Sequence, residues 1–451
     1  MGLYDHSQEG GLIGSARGTA GRRRFSERLT IILLSTVAFV VALNSIIIFP
    51  LGPFLADSLG FPPQQVGFLG SSYSIAAAIG GFISAGFLDR FDRRSALLAC
   101  AIGFVIATAL CATATNIVAL VAMRALAGSF AGPLWGLLIA IASDNVPPER
   151  RGAAVGIMIG AYGLALIVGL PLGVMIAASA MGWQMNFVCI AIISLILAVV
   201  VSWQLGAQRQ HLAELRAWSW SEQHAAMIEL VTARSSVLAF LLIASASYAA
   251  LLISPNLAVF AVHNVGLSPE RLAHVYLLGG VMSVLAMPLT GRLVDNFGAT
   301  PVSIAVAVIT TGLLVAGFID RRAFDLPAVP LFALIIVFQL VRSTVNQAWV
   351  TQVPAVGERA AFQALIAAVT NLAQAAGAAS APFLLGLSPG GQLVGMDAVA
   401  LLALVMTWAA PPLLLMLDHV LANPGSYEED PEFDTYCDKV INALEKAKKE
   451  I

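Results

Sequence analysis

Two arginines, Arg124 and Arg342, stand inside stretches of the chain that are otherwise almost free of charge. A guanidinium keeps its proton at any physiological pH, and placing one in an apolar run is expensive. Two chemistries would justify the cost: compensating an anionic solute, or donating to the carbonyls of a neighbouring helix. Arg342 belongs to a longer polar line, "VFQLVRSTVNQAWVTQ". Within it Gln339, Arg342 and Asn346 are three and four apart and share one helix face, with Trp349 a turn further on. A polar face in an apolar span looks at a cavity or a partner helix, never at lipid, and cavity lining is the expectation here. Asn44, Tyr73, Trp135, Tyr162, Tyr248, Asn256, Asn371 and Gln374 are the other candidates for lining such a cavity.

Catalysis is not indicated. The sequence shows no nucleophile–base pair, no metal-ligand cluster and no phosphate loop, so neither an enzyme nor a cofactor or metal is expected. Cys100, Cys111, Cys189 and Cys437 are not paired by spacing, and the first three read as small apolar filler. No carboxylate falls in the middle of an apolar run, since Asp57, Asp397 and Asp418 sit near ends. Two embedded arginines without buried acid favour an anionic solute, such as an organic acid or a phosphorylated or carboxylated metabolite. If backbone carbonyls hold the arginines instead, a neutral solute fits equally well. His263 and His274 flank one loop and would titrate near neutral pH; interfacial histidines are the simpler reading.

The densest charge lies in "SAGFLDRFDRRSALL", where Asp89, Arg90, Asp92, Arg93 and Arg94 fall within six consecutive positions. A weaker copy, "GRLVDNFGATP", begins at Gly291 and places Asp295 206 residues after Asp89. "GERAAFQALIAA" (357–368) likewise echoes "ERRGAAVGIMIG" (149–160), so the chain carries an internal repeat. In "RALAGSFAG", Gly128 and Gly132 follow Arg124 at four-residue spacing and permit close helix approach. "GAYGLALIVGLPLGVMI" holds Gly160, Gly163, Gly169, Pro171 and Gly173, glycines for tight packing and a proline for a kink.

The elements that must position these residues follow from composition. Of 451 residues 59% are hydrophobic and 11% charged, against about 25% charged in a soluble domain. The fold class expected is all-α and polytopic, with twelve transmembrane helices in two pseudo-symmetric six-helix halves around a central cavity. About 20 apolar residues cross a bilayer, and the runs are 30–56, 65–88, 95–114, 117–143, 152–178, 184–204, 236–262, 271–293, 300–319, 327–351, 359–386 and 395–417. Residues 1–28 read as a disordered leader, not a cleavable signal. Residues 29–204 and 236–418 form the halves, 205–235 a linker with an amphipathic surface helix, and 419–451 a charged tail. Fifteen of twenty arginines fall on the side of the amino terminus, three on the other and two within spans. That bias places both termini and the linker in the cytoplasm. The lysine-free body suggests a bacterial inner (plasma) membrane. The tail holds all four lysines and many acids; it is a solvated segment or a site for a cytosolic partner. A net charge of −2 gives no hint of nucleic acid.

These motifs resemble the major facilitator superfamily, over residues 28–420, and within it the twelve-span drug and sugar-efflux antiporters of the arabinose-efflux-permease-like group. The charge cluster matches the family's G-x-x-x-D-R-x-G-R-R loop at Asp89, Arg90, Arg93 and Arg94, with Ala85 and Asp92 in place of its glycines. The second copy keeps Gly291, Asp295 and Gly298, while Asn296, Ala299 and Thr300 replace the basic positions. The resemblance implies that these seven matching residues latch the two halves at the cytoplasmic mouth. It also implies that Arg124, with Gly128 and Gly132, supports proton coupling, and that Gly169, Pro171 and Gly173 mark an exporter, although Leu170 replaces one expected glycine. The function it implies is secondary active transport of a small organic solute by alternating access, as an efflux antiporter with protons as the candidate driving ion. The alternatives are an organic-anion carrier that uses Arg124 and Arg342, and a transporter-like scaffold or sensor acting through its tail.

Overall fold

In a bilayer every backbone polar group must be satisfied within its own segment, which leaves an apolar chain the helix. The computed structural model describes residues 9–87, 91–146, 150–206, 230–320, 326–354 and 359–422. Twelve of its helical segments are long and apolar enough to cross a membrane. The first six spans are α1 (Glu9–Ile46), α3 (Val66–Phe87), α4 (Arg93–Cys111), α5 (Ile117–Asp144), the broken helix α6 (Arg151–Leu164) and α7 (Leu170–Ala178), and α8 (Gln184–Gln204). The second six are α9 (Arg234–His263), α10 (Pro269–Phe297), α11 (Ala299–Leu314), α12 (Ala328–Val350), α13 (Arg359–Leu384), and α14 (Met396–Trp408) with α15 (Ala410–Ala422). A short α2 (Gly52–Leu59) follows the first span, and a two-residue antiparallel pair, β1 (Gly386–Leu387) and β2 (Leu393–Val394), precedes the last.

Local chemistry sets the ends. The Asn116 carboxamide accepts the Ala119 N–H at 2.9 Å and opens α5. Ser268 caps α10, with Pro269 at its first position. The fifth span passes through a π-helical turn, Ala165–Gly169, directly before Pro171. There the missing proline N–H would otherwise interrupt the ladder.

Three expectations change. The first span does not run to residue 56: α1 ends at Ile46, and a turn leads into α2. Pro50 and Pro53 lie close together there, and proline neither donates nor tolerates a helical predecessor. The last span is broken after Trp408, just before Pro411 and Pro412. At the other terminus, residues 9–28 are helical and continuous with the first span, not a disordered leader. Extending an existing helix costs far less than nucleating one. Asp89, Arg90, most of the linker (207–229) and the tail beyond 422 lie outside the described residues.

The repeat is visible in the packing. In the first half α5 lies against α3 and α4, α4 against α8, and α1 against α6 and α8. In the second half α12 lies against α10 and α11, α11 against α14 and α15, and α9 against α13, α14 and α15. These are the same pairings, element for element. The halves meet where α3 packs on α13 and where the fifth span packs on α10, with α2 resting on α9. The closest approaches are backbone to glycine. A methyl at Gly67 would sit on the Ala378 carbonyl, and one at Gly280 would lie 2.9 Å from the Ile167 backbone. The Phe68 and Phe383 rings meet edge-on at 6.2 Å. These contacts occupy the end of the bundle away from the amino terminus and reach about mid-depth along α10.

Candidate functional site

Arg124 is fully buried. From α5 its guanidinium crosses to α1, donating to the Asn44 carbonyl at 3.0 Å, the Asn44 side-chain oxygen at 2.6 Å and the Ser45 carbonyl at 3.4 Å. The Asn44 amide nitrogen passes the chain on to the Thr108 hydroxyl of α4 at 2.8 Å. The Tyr73 ring of α3 lies under the guanidinium, 4.2 Å from centroid to Cζ. Four spans thus converge on one cation. Close packing makes this reach possible: a methyl at Gly128 would strike the Tyr73 carbonyl, and one at Gly132 the Ala77 carbonyl.

The second half repeats the device with other residues. Arg342, 3% exposed, donates from α12 to the Ala246 carbonyl of α9 at 2.9 Å and to the Thr407 hydroxyl of α14. Thr407 passes its own proton to the Ala403 carbonyl at 2.8 Å. Gln339 accepts from Ser254 of α9 at 3.0 Å, and Asn346 donates to the Leu242 carbonyl of the same helix at 3.5 Å. The polar face of α12 therefore looks at α9, its partner within the half. Gln339 and Arg342 also border a small cavity enclosed by that half. Among the described residues no carboxylate lies within 4 Å of either buried arginine.

The residues that open the third helix organise one end of each half. Asp92 caps α4, accepting the Ser95 N–H at 3.1 Å and its hydroxyl at 3.0 Å, which explains how an acid replaces the family's glycine there. Arg93 pairs with Asp144 at the end of α5, and Arg94 donates to the Ser202 carbonyl near the end of α8. Gly298, 206 residues after Asp92, begins α11 with φ of +84°, where glycine is the natural choice. Thr300, the counterpart of Arg94, donates to Asp418 of the last span at 3.0 Å. Both halves thus tie the start of their third helix to the end of their sixth. Arg93 and Arg94 find their partners inside the first half; Gly291 and Asp295 lie near the carboxyl-terminal end of α10, with Asp295 exposed.

The other candidates scatter. Asn44 and Tyr73 join Arg124. Tyr248 shares a 2.8 Å hydrogen bond with Ser380 of α13. Asn256 and Asn371 bond carbonyls of their own helices. Trp135, Tyr162 and Gln374 are half-buried. Gly169 faces Leu43 of α1 and Gly173 faces Ile47 in the turn just after it, and Pro171 is buried between them. The sequence reading missed Thr108, Ser45, Thr407, Ser254 and Ser380. Hydroxyls are so common as self-satisfied residues in spans that no local signal marks them.

Comparison with known proteins follows this geometry. Residues 34–378 match the family model described as Major Facilitator Superfamily. An uncharacterized MFS-type transporter of Bacillus subtilis (strain 168), YwfA, is 31% identical over 159 residues, which is 35% of this chain and 38% of that protein. A chloramphenicol resistance protein of Streptomyces lividans is 26% identical over 284 residues, 63% of this chain and 71% of that protein. The chain thus spans well under half the length of the first relative and about seven-tenths of the second. A crystal structure of a D-xylose–proton symporter superposes with a TM-score of 0.69 at 16% identity, covering 85% of this chain and 96% of that one. At that identity the likeness concerns the fold.

Proposed function

Since this chain belongs to the Major Facilitator Superfamily, we propose that it is a secondary transporter that carries a small organic solute through alternating access, working as an exporter by antiport. One observation supports this most directly: two copies of the same six-helix arrangement touch along a glycine-to-backbone seam at one end of the bundle. Such a seam holds by close van der Waals contact, with little interlocking of side chains. It can therefore part as the halves rock about a site between them. The glycines and proline of the broken fifth helix, and the likeness to a chloramphenicol resistance protein, favour export.

The buried arginines fit structural and coupling roles better than direct contact with solute, because each is tied to neighbouring spans of its own half. An organic-anion carrier would need one of them to leave those partners. Protons remain the candidate driving ion. With no carboxylate within 4 Å of Arg124 among the described residues, coupling would run through rearrangement of the Asn44–Arg124–Tyr73 cluster.

The test is flux in proteoliposomes with chloramphenicol, a sugar and an organic acid as labelled probes, with and without an imposed pH gradient. Export that saturates and collapses with the gradient supports proton antiport. Saturable flux that ignores the gradient overturns the coupling. Uptake driven down the gradient overturns the direction. Preference for the organic acid, lost in Arg342→Gln, would promote the anion carrier instead.

A further inference from the structure

The buried arginines are tied within their own halves, so other groups set what a solute meets between the halves. The fourth and tenth spans show which. On α5, Arg124 reaches α1 while Gly128 and Gly132 meet α3. On α12, Gln339 and Asn346 bond α9 while Ile336 lies against Gly279 of α10. In the repeat α1 is equivalent to α9, and α3 to α10. Helical spacing puts Trp135 between the two contact faces of α5, and Ser343 between those of α12. Each has a helix on either side, yet Trp135 is only half-buried and Ser343 is exposed. Both open on the space between the halves.

The eleventh span adds amides. A methyl at Gly67 of the first half would strike the Ala378 carbonyl of α13, and Gln374 and Asn371 lie one and two turns inward of Ala378 on that face. Both are half-buried near the middle of the span Phe362–Leu384. Amides at that depth turn to a cavity or to a partner, not to lipid. Gln374 has no hydrogen-bond partner among the described residues, and Asn371 donates only to its own helix. Tyr162 is half-buried beside Gly163, where the seam with α10 reaches Val284. Its hydroxyl, the Trp135 indole N–H and the Ser343 hydroxyl are also unpartnered among the described residues.

The two sides differ in chemistry. The first half offers two aromatic rings, each with a polar tip; the second offers two amides and a hydroxyl. Neither offers a free charge. Away from their ends the spans carry only Arg124 and Arg342, and these donate to neighbours within their halves. A charged solute would surrender its hydration there without a counter-ion. An uncharged one with an apolar body gains stacking and neutral hydrogen bonds instead. We propose that the transported solute is an uncharged amphiphile, its apolar or aromatic body against Trp135 and Tyr162 and its hydrogen-bonding groups on Ser343, Asn371 and Gln374. This rests on the chain being a transporter with its site between the halves.

The experiment uses the full chain purified in detergent and matched tritiated probes. Indole, phenyl and cyclohexyl bodies each carry a propionamide, a propionate or a propylamine chain, so shape is held while charge is zero, negative or positive. Saturable binding is expected for the propionamides, at least tenfold tighter than for either charged probe of the same body. Gln374→Leu and Ser343→Ala should each weaken it about three- to tenfold, the worth of one neutral hydrogen bond. Their Tm should match wild type, because neither side chain bonds another among the described residues. Trp135→Leu should weaken the two aromatic propionamides more than the cyclohexyl one. A propionate or propylamine that binds as tightly as its propionamide overturns the inference. So does the absence of saturable propionamide binding, or an affinity that both Gln374→Leu and Ser343→Ala leave unchanged. Flux of the same probes in proteoliposomes separates this result from the transporter reading. Propionamides that bind through these residues but are not moved overturn the transporter and leave the site. A charged probe that is moved while the propionamides are ignored overturns the site and leaves the transporter.

Discussion

Among the described residues the buried arginines are held by carbonyls and a hydroxyl, not by acids. Arg124 shows how. Its planar fork reaches three oxygens on α1 while its face stacks on Tyr73. Lysine offers one compact ammonium that cannot reproduce that geometry. Arg124→Lys should lower folded stability by about 2–3 kcal/mol, the order expected when charged hydrogen bonds are lost and buried acceptors are left bare. Thermal unfolding in detergent reads this directly. Tyr73→Phe is the control. The Tyr73 hydroxyl is buried without a partner, so its removal should change stability by less than about 0.5 kcal/mol, with the ring kept under the guanidinium. A large loss in Tyr73→Phe would mean that the hydroxyl carries a bond in the working protein, as a coupling role would require. The sequence exposed Arg124 because a charge in an apolar run is conspicuous. It did not expose Thr108 or Thr407, because a hydroxyl in a helix can always satisfy itself on the preceding turn.

Glycines on a single helix have different roles according to what faces them. On α5, Gly128, Gly132 and Gly136 recur every four residues, yet only the first two abut another backbone; nothing lies within 4 Å of a methyl placed at Gly136. Gly128→Ala and Gly132→Ala should each cost about 3 kcal/mol or more, because a carbonyl in a packed helix cannot move aside. Gly136→Ala should be neutral or slightly stabilising, since alanine is the better helix former. The yield of monodisperse protein on gel filtration and its Tm separate these outcomes. If all three behave alike, the α3–α5 approach is looser than described. The same limit bounds what the sequence can show about elements. Hydropathy marked twelve spans because apolar length is a property of the segment itself. Periodicity placed Gln339, Arg342 and Asn346 on one face, but a shared face does not say which neighbour it meets. Here it meets α9. The breaks after Ile46 and Trp408 were written in paired prolines within otherwise continuous apolar runs.

At the scale of the whole molecule the repeat divides the labour. Each half is tied internally by its buried arginine and by the bond from its third helix to its sixth, Arg94 to Ser202 and Thr300 to Asp418. Each half can then move as a body. Between the halves lie glycine contacts and the edge-on pair Phe68 and Phe383, which add few directional bonds. If solute passes by rocking, this seam must open once per cycle. A cysteine at each of positions 68 and 383, in a background without the four native cysteines, tests that necessity. Before oxidation the variant should transport at a rate close to the cysteine-free parent, because the aromatic pair contributes only about 1 kcal/mol. Oxidation, or a short bifunctional maleimide, should cut flux at least tenfold. A reductant should restore it for the disulfide but not for the maleimide. Helices within a half would tolerate such a link, because they do not separate during rocking. Transport that continues unchanged through a quantitatively cross-linked seam would mean that the solute crosses without the halves parting there, and alternating access through this seam would have to be abandoned.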